Sequence, residues 1–147
     1  MRALRLALAA CLLLAGGAVF AADKPCTKAN VAAAGKAIDH VDTWAQLQKA
    51  WQGYGHCDSG AVADAYTDAL MRLVVDWKDV QGLAQLVQQD RGFHDFVFAH
   101  LASDAAKPDL ASVYSRAKTS CPAGVAAFCA ELASATSPKK AAAGPEK

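Results

Sequence analysis

No stretch of the 147-residue chain alternates polar residues with β-branched apolar ones, so no half-buried strand is written into it. Cys-x-x-Cys is also missing, which removes thioredoxin-type redox centres, covalent haem attachment and the common cysteine-ligated zinc sites. There is no Gly-x-Ser-x-Gly turn, the nucleophile elbow of α/β-hydrolases. Basic charge is never concentrated: 15 Lys and Arg stand against 14 Asp and Glu, a net charge of +1, and Lys139-Lys140 is the one adjacent basic pair. Nucleic acid binding and a polybasic membrane patch both need a dense basic face, so both are excluded. Glutamate occurs only at Glu131 and Glu146, which leaves the acidic chemistry to aspartate. No repeat recurs at solenoid spacing.

What is present begins with an export address. Arg2 and Arg5 precede an apolar stretch over residues 6–14, and Val19-Phe20-Ala21 offers compact residues where a signal peptidase reads. Cleavage after Ala21 is expected, which makes residues 1–21 a signal peptide and the mature protein periplasmic or secreted. A membrane anchor would need about 20 apolar residues; Gly16-Gly17 interrupts this shorter run, so no stable membrane insertion is expected. Leu8-Ala9-Ala10-Cys11 is similar to a lipobox, but lipidation there would strand an apolar run over residues 12–22, so Cys11 is assigned to the discarded leader. Residues 22–135 form the helical domain. From residue 136 onward no large apolar side chain is available for burial, and residues 136–147 are expected to be a disordered C-terminal tail.

Cys26, Cys57, Cys121 and Cys129 remain after processing, an even number in an oxidising compartment, and two disulfides follow. Three pairings are open. Loop closure costs less over short separations, which favours Cys26 with Cys57 and Cys121 with Cys129. The second pair carries a condition. Eight residues of continuous helix span about 12 Å, beyond the roughly 4.4 to 6.8 Å between Cα atoms that a disulfide tolerates. Cys121 must therefore lie in a turn ahead of the helix carrying Cys129, with Pro122-Ala123-Gly124 folding the chain back.

Apolar residues recur at intervals of three and four nearly everywhere, and the expected fold class is all-α: one compact domain of six or seven short helices in a bundle-like or orthogonal array, stapled by two disulfides. A first helix is read over residues 28–41. Asp42 and Thr43 cap a second, which carries Trp44, Leu47 and Trp51 on one side and ends at Gly53 and Gly55. The third gathers Val62, Tyr66, Leu70, Leu73, Val74 and Trp77 on one face, with Asp64 and Asp68 opposite. Asp79 caps a fourth, broken at Asp90-Arg91-Gly92. A fifth over residues 93–103 turns Phe93, Phe96, Val97, His100 and Leu101 inward. Lys107-Pro108-Asp109 opens a sixth, and the seventh covers residues 123–134.

His56 beside Cys57-Asp58-Ser59-Gly60 is the stretch that most invites a catalytic reading, a small hydrolase using His56 with Asp58 or Ser59. The same residues fall where a helix must start, and capping by Asp58 or Ser59 is the expected role. His94 and His100 lie 120° apart around a helix and do not converge; His100 is expected to be a core histidine bonded to a backbone or tyrosine partner. His40 and His56 sit at helix ends. Asp64 and Asp68 read as a solvated face rather than an acid–base pair, and Trp44, Trp51 and Trp77 as core anchors. No cofactor, metal or catalytic set is predicted.

The pattern Tyr54-Gly55-His56-Cys57-Asp58-x-Gly60, followed by Tyr66 and an apolar run to Asp76-Trp77, resembles a group of uncharacterised small exported proteins of Gram-negative bacteria. Phe93-x-x-Phe96-Val97-x-x-His100, Cys121-Pro122 and Phe128-Cys129 extend the resemblance over most of the mature domain. It implies a periplasmic helical fold held by cystines and brings no activity. The helical periplasmic immunity proteins that neutralise secreted cell-wall amidases are similar in size, compartment and cystine use, without a shared diagnostic motif. The expected function is thus a non-enzymatic periplasmic protein that binds another periplasmic or envelope protein, as an inhibitor or immunity-type protein. A hydrolase or a small-ligand carrier, the latter requiring an apolar cavity of roughly 300 Å³, are the competing readings.

Overall fold

The structure, a computed structural model, describes residues 24–138; the expected signal peptide and residues 139–147 of the expected tail lie outside the described residues. Within them the fold is all-α, one domain of seven helices with no strand. They are α1 (Lys28–Asp39), α2 (Trp44–Tyr54), α3 (Gly60–Val75), α4 (Val80–Gln89), α5 (Arg91–Leu101), α6 (Leu110–Thr119) and α7 (Ala126–Ala135). A 3-10 turn at Gly55–Cys57 joins α2 to α3, and a 3-10 segment at Asp104–Asp109 leads into α6.

Local chemistry sets most of the helix starts. Thr27 and Thr43 each head a capping box: the threonine hydroxyl accepts from the backbone N–H three residues on, and the Asn30 or Gln46 side chain accepts from the threonine N–H in return. Asp79 and Asp90 cap α4 and α5 by accepting from Gly82 N and Phe93 N. Asp90 also ends α4, so the expected break lies at one residue, and Arg91 and Gly92 belong to α5.

The apolar stripes converge on α3, which packs on α1, α2, α5, α6 and the 3-10 segment. Tyr66, Leu70, Leu73 and Val74 are buried there with Ile38, Leu47, Phe93, Val97 and Leu132. Tyr66 ties α3 to α2 by donating its hydroxyl to Ala50 O at 2.9 Å, and burial pushes its phenol pKa well above the usual value. Trp51, Phe93 and Phe96 form an aromatic cluster with ring centroids 5.6 to 5.8 Å apart. A side chain at Gly92 would meet the Trp51 ring at 2.9 Å, so the missing Cβ is what lets this helix close on the indole.

Both disulfides form in the favoured pairing. Cys26–Cys57 pins the segment ahead of α1 to the 3-10 turn after α2. Cys121–Cys129 closes the turn ahead of α7, with Gly124 at φ +84 reversing the chain and 6.0 Å between the Cα atoms.

Three expectations are corrected. Trp77 is not on the α3 face: the helix ends at Val75, and Trp77 and Asp79 take left-handed φ values of 58 and 36. That turn is held by indole hydrogen bonds, Trp44 Nε1 donating to Lys78 O and Trp77 Nε1 to Ser120 O, which offset a conformation costing about 1–2 kcal/mol per residue. Thr136, placed in the tail, is fully buried and donates its hydroxyl to Leu132 O, so the packed body extends past Ala135. The last helix starts at Ala126 rather than at residue 123, because the disulfide turn occupies the residues before it.

Candidate functional site

The side chains that come together are not those adjacent in sequence. Asp58 lies between the 3-10 turn and α3, Thr67 sits on α3, and His100 is on the last turn of α5. His100 Nε2 donates to Asp58 Oδ2 at 3.1 Å, and Nδ1 lies 2.7 Å from Thr67 Oγ1. With Nε2–H fixed on the carboxylate in the neutral ring, Nδ1 is free to accept the hydroxyl proton, although Ala63 O at 3.0 Å is a second acceptor for it. The order hydroxyl, imidazole, carboxylate is that of an acyl-transfer triad. Its placement is different. Thr67 is 3% exposed and His100 6%, with Phe96 4.4 Å from the imidazole ring and Tyr66 on another side; Asp58 alone, its side chain 27% exposed, reaches water. A chain of hydrogen bonds running inward from a surface carboxylate locks α3 to α5 and stabilises the core.

His56 takes no part in it. Its Nε2 is buried without a protein hydrogen-bond partner, and no hydrogen bond joins it to Asp58 or Ser59. The expected capping is also corrected: Ser59 stands at the N-cap of α3 with extended backbone, but its side chain makes no capping bond. The first turn closes instead on the Ser59 backbone carbonyl, which accepts from Val62 N and Ala63 N, while the Asp58 carboxylate is drawn to His100. His100 is the expected core histidine, but with side-chain partners rather than a backbone or tyrosine one. Thr67 was missed. A polar residue one turn before Leu70 and two before Val74, on the core stripe, was the signal in the sequence.

His94 builds a second cluster at the surface. Its Nδ1 lies 3.0 Å from Asp95 Oδ1 and its Nε2 2.8 Å from Glu131 Oε1 on α7, while the ring stacks on Phe98 and Arg91 bonds Asp95 from one turn away. Only the imidazolium can donate from both nitrogens. The bond to Asp95 and then that to Glu131 raise the His94 pKa above its ordinary value, against the opposing effect of burial. The same imidazolium, with Arg91, holds Asp95 below the usual carboxylate range. A raised folded-state value means that the His94 contribution is complete below about pH 6.5 and is lost as pH rises through the folded value; the Asp95 contribution is lost as pH falls through its own. His94→Gln is therefore expected to lower the melting temperature by a few degrees at pH 5.5 and by less at pH 8.5. Thermal melts at the two pH values check this, and an equal loss at both would refute it.

Several surface grooves are also formed, two of them bordered by α2. One, of about 550 Å³, runs between the start of α2 and α4 over a floor of Trp44, Ala45 and Leu86 with a polar rim. The other, of about 710 Å³, lies along the α1–α2 pair. Asp64 and Asp68 are on the solvent side of α3, as expected. No group of three or more His, Cys, Asp or Glu side chains is placed to hold a metal ion among the described residues. No helix among them is long and apolar enough to cross a membrane.

Comparison with known proteins finds no matching family model, no matching curated protein and no matching solved structure. The class of the molecule is set by its own architecture: an all-α domain closed by two disulfides, in which the hydroxyl and imidazole of the triad-like set are buried.

Proposed function

We propose that this is an exported, non-enzymatic helical protein that acts by binding another periplasmic or envelope protein, with inhibition of an envelope or secreted hydrolase as its specific form. The observation that carries this reading is the burial of the Thr67–His100 end of the hydrogen-bond chain that starts at Asp58. The Thr67 hydroxyl, aligned with the His100 base, is buried against the α3 backbone at Ala63 O, and Tyr66 and Phe96 pack on the imidazole it faces. A hydrolase must bring a substrate carbonyl to within about 3 Å of such a hydroxyl. The two disulfides fit an oxidising compartment. Val31, 43% exposed, is the sole exposed large hydrophobic among the described residues, which favours a largely polar binding surface.

Site-specific photo-crosslinking in living cells, followed by mass spectrometry, tests the reading. One partner recovered reproducibly from the envelope is the expected result. Recovery of no partner, together with a hydrolytic activity that disappears in Thr67→Val, would overturn it.

A further inference from the structure

The polar part of the α1–α2 groove is made mostly of hydrogen-bond donors, set beside an apolar part that includes Ala37 and Ala50. Lys24, Lys36 and Lys49 contribute ammonium groups, His40 a ring, and no carboxylate contributes to its walls, although acidic residues outnumber basic ones in the described domain. None of the three lysines is in an ion pair among the described residues. The two amide side chains of the lining, Asn30 and Gln46, are oriented by the capping boxes. Asn30 Oδ1 accepts from Thr27 N and Thr27 Oγ1, and Gln46 Oε1 accepts from Asp42 N and Thr43 N. Their acceptor atoms are consumed there, which leaves the amide NH₂ groups as what each can still offer. The orientation is fixed by the backbone donors and not by choice of flip. The disulfide at Cys26 anchors the wall that carries Lys24.

From these donors we infer that the groove receives an extended acidic segment of a protein partner, an inference that rests on the binding role proposed above. The donors do not gather round one point, as a single phosphate would require. They are spread along the helix pair: Asn30 to His40 covers ten residues, about 15 Å of helix, which an extended chain spans in about five residues. Carboxylates on alternate residues of such a segment meet successive lysines. Each exposed pair contributes little, so the affinity is modest and falls with salt.

The test uses the processed chain and a fluorescein-labelled peptide, Gly-Glu-Ala-Glu-Ala-Glu-Ala-Glu, followed by fluorescence anisotropy at low and at near-physiological salt. Binding is expected to weaken severalfold at the higher salt and about tenfold in Lys36→Glu/Lys49→Glu, the loss of roughly two exposed pairs. The variant Arg116→Glu/Lys118→Glu on α6, with the same change in net charge, should leave it within about twofold. Circular dichroism confirms that both variants fold, since all four side chains are exposed. Equal loss in the two variants, no peptide binding, or tighter lysine-dependent binding of a single-stranded oligodeoxynucleotide of equal charge would each overturn the inference. Photo-crosslinking with Lys36→Glu/Lys49→Glu separates it from the broader reading. A partner still captured by that variant removes the groove and leaves the binding role, whereas no partner captured by either chain removes the role itself.

Discussion

Replacing Cys26 and Cys57 together by alanine is expected to cost about 3.7 kcal/mol, and replacing Cys121 and Cys129 about 2.5 kcal/mol, from the loop entropy that each bridge removes from the unfolded chain. The order follows from sequence separations of 31 and 8. A small domain has only about 5–15 kcal/mol in total, so the first loss lowers the melting temperature by roughly 15 °C. Packing works in the same direction. Cys57 is 1% exposed, and shortening it to alanine leaves a small void beside the core. Equilibrium urea unfolding of the two double variants checks the ranking. A larger loss for Cys121→Ala/Cys129→Ala, or a loss below about 1 kcal/mol for the 26–57 pair, would show that the longer loop is already restrained in the unfolded chain.

The local half of this architecture is legible in the residues. Periodicity on α3 brings Tyr66, Leu70, Leu73 and Val74 to one face because a helix turns about 100° per residue, and the burial of all four follows directly. Thr43 and Asp79 announce helix starts by short-range hydrogen bonds that need no tertiary partner. The favoured cystine pairing comes from chain entropy, which is a function of separation alone. Trp77 fails for the opposite reason. Its position on the α3 stripe is correct by periodicity, but the carbonyl of Ser120, 43 residues away, takes its indole N–H in a turn outside the helix. A contact of that length is a property of the assembled core.

The site divides in the same way. His56, Asp58 and Ser59 are close in sequence and suggest a shared role, yet the fold sends Asp58 to His100, 42 residues on, and gives the start of α3 to a backbone carbonyl. Neither His100 on its stripe nor Asp58 ahead of a helix indicates the other. In the α1–α2 groove the lysines are scattered through a stretch that also holds Asp39 and Asp42, so the charge averages out along the chain. Packing of α1 on α2 sorts it, placing three lysines along one groove and leaving both aspartates out of its lining.

His100→Ala is expected to destabilise the domain by about 3 kcal/mol, combining the void left by a buried ring with the loss of its aromatic and hydrogen-bonded contacts. The asymmetry of buried hydrogen bonding gives a sharper test in two further variants. Thr67→Val conserves volume but strips Nδ1 of its partner, at a cost of about 1–3 kcal/mol. His100→Leu removes the ring nitrogens altogether; the Thr67 hydroxyl keeps Ala63 O as its acceptor, and Asp58 turns to water on its exposed side. In that background Thr67→Val should cost well under 1 kcal/mol, because no nitrogen is left without a partner. Urea unfolding of the four chains of this cycle measures the coupling directly. A coupling energy near zero would mean that the imidazole and the hydroxyl do not depend on each other for stability. The hydrogen-bond chain would then lose its structural role, and a chemical role for the same three residues would become the better account of why a carboxylate, an imidazole and a hydroxyl lie in line through the core.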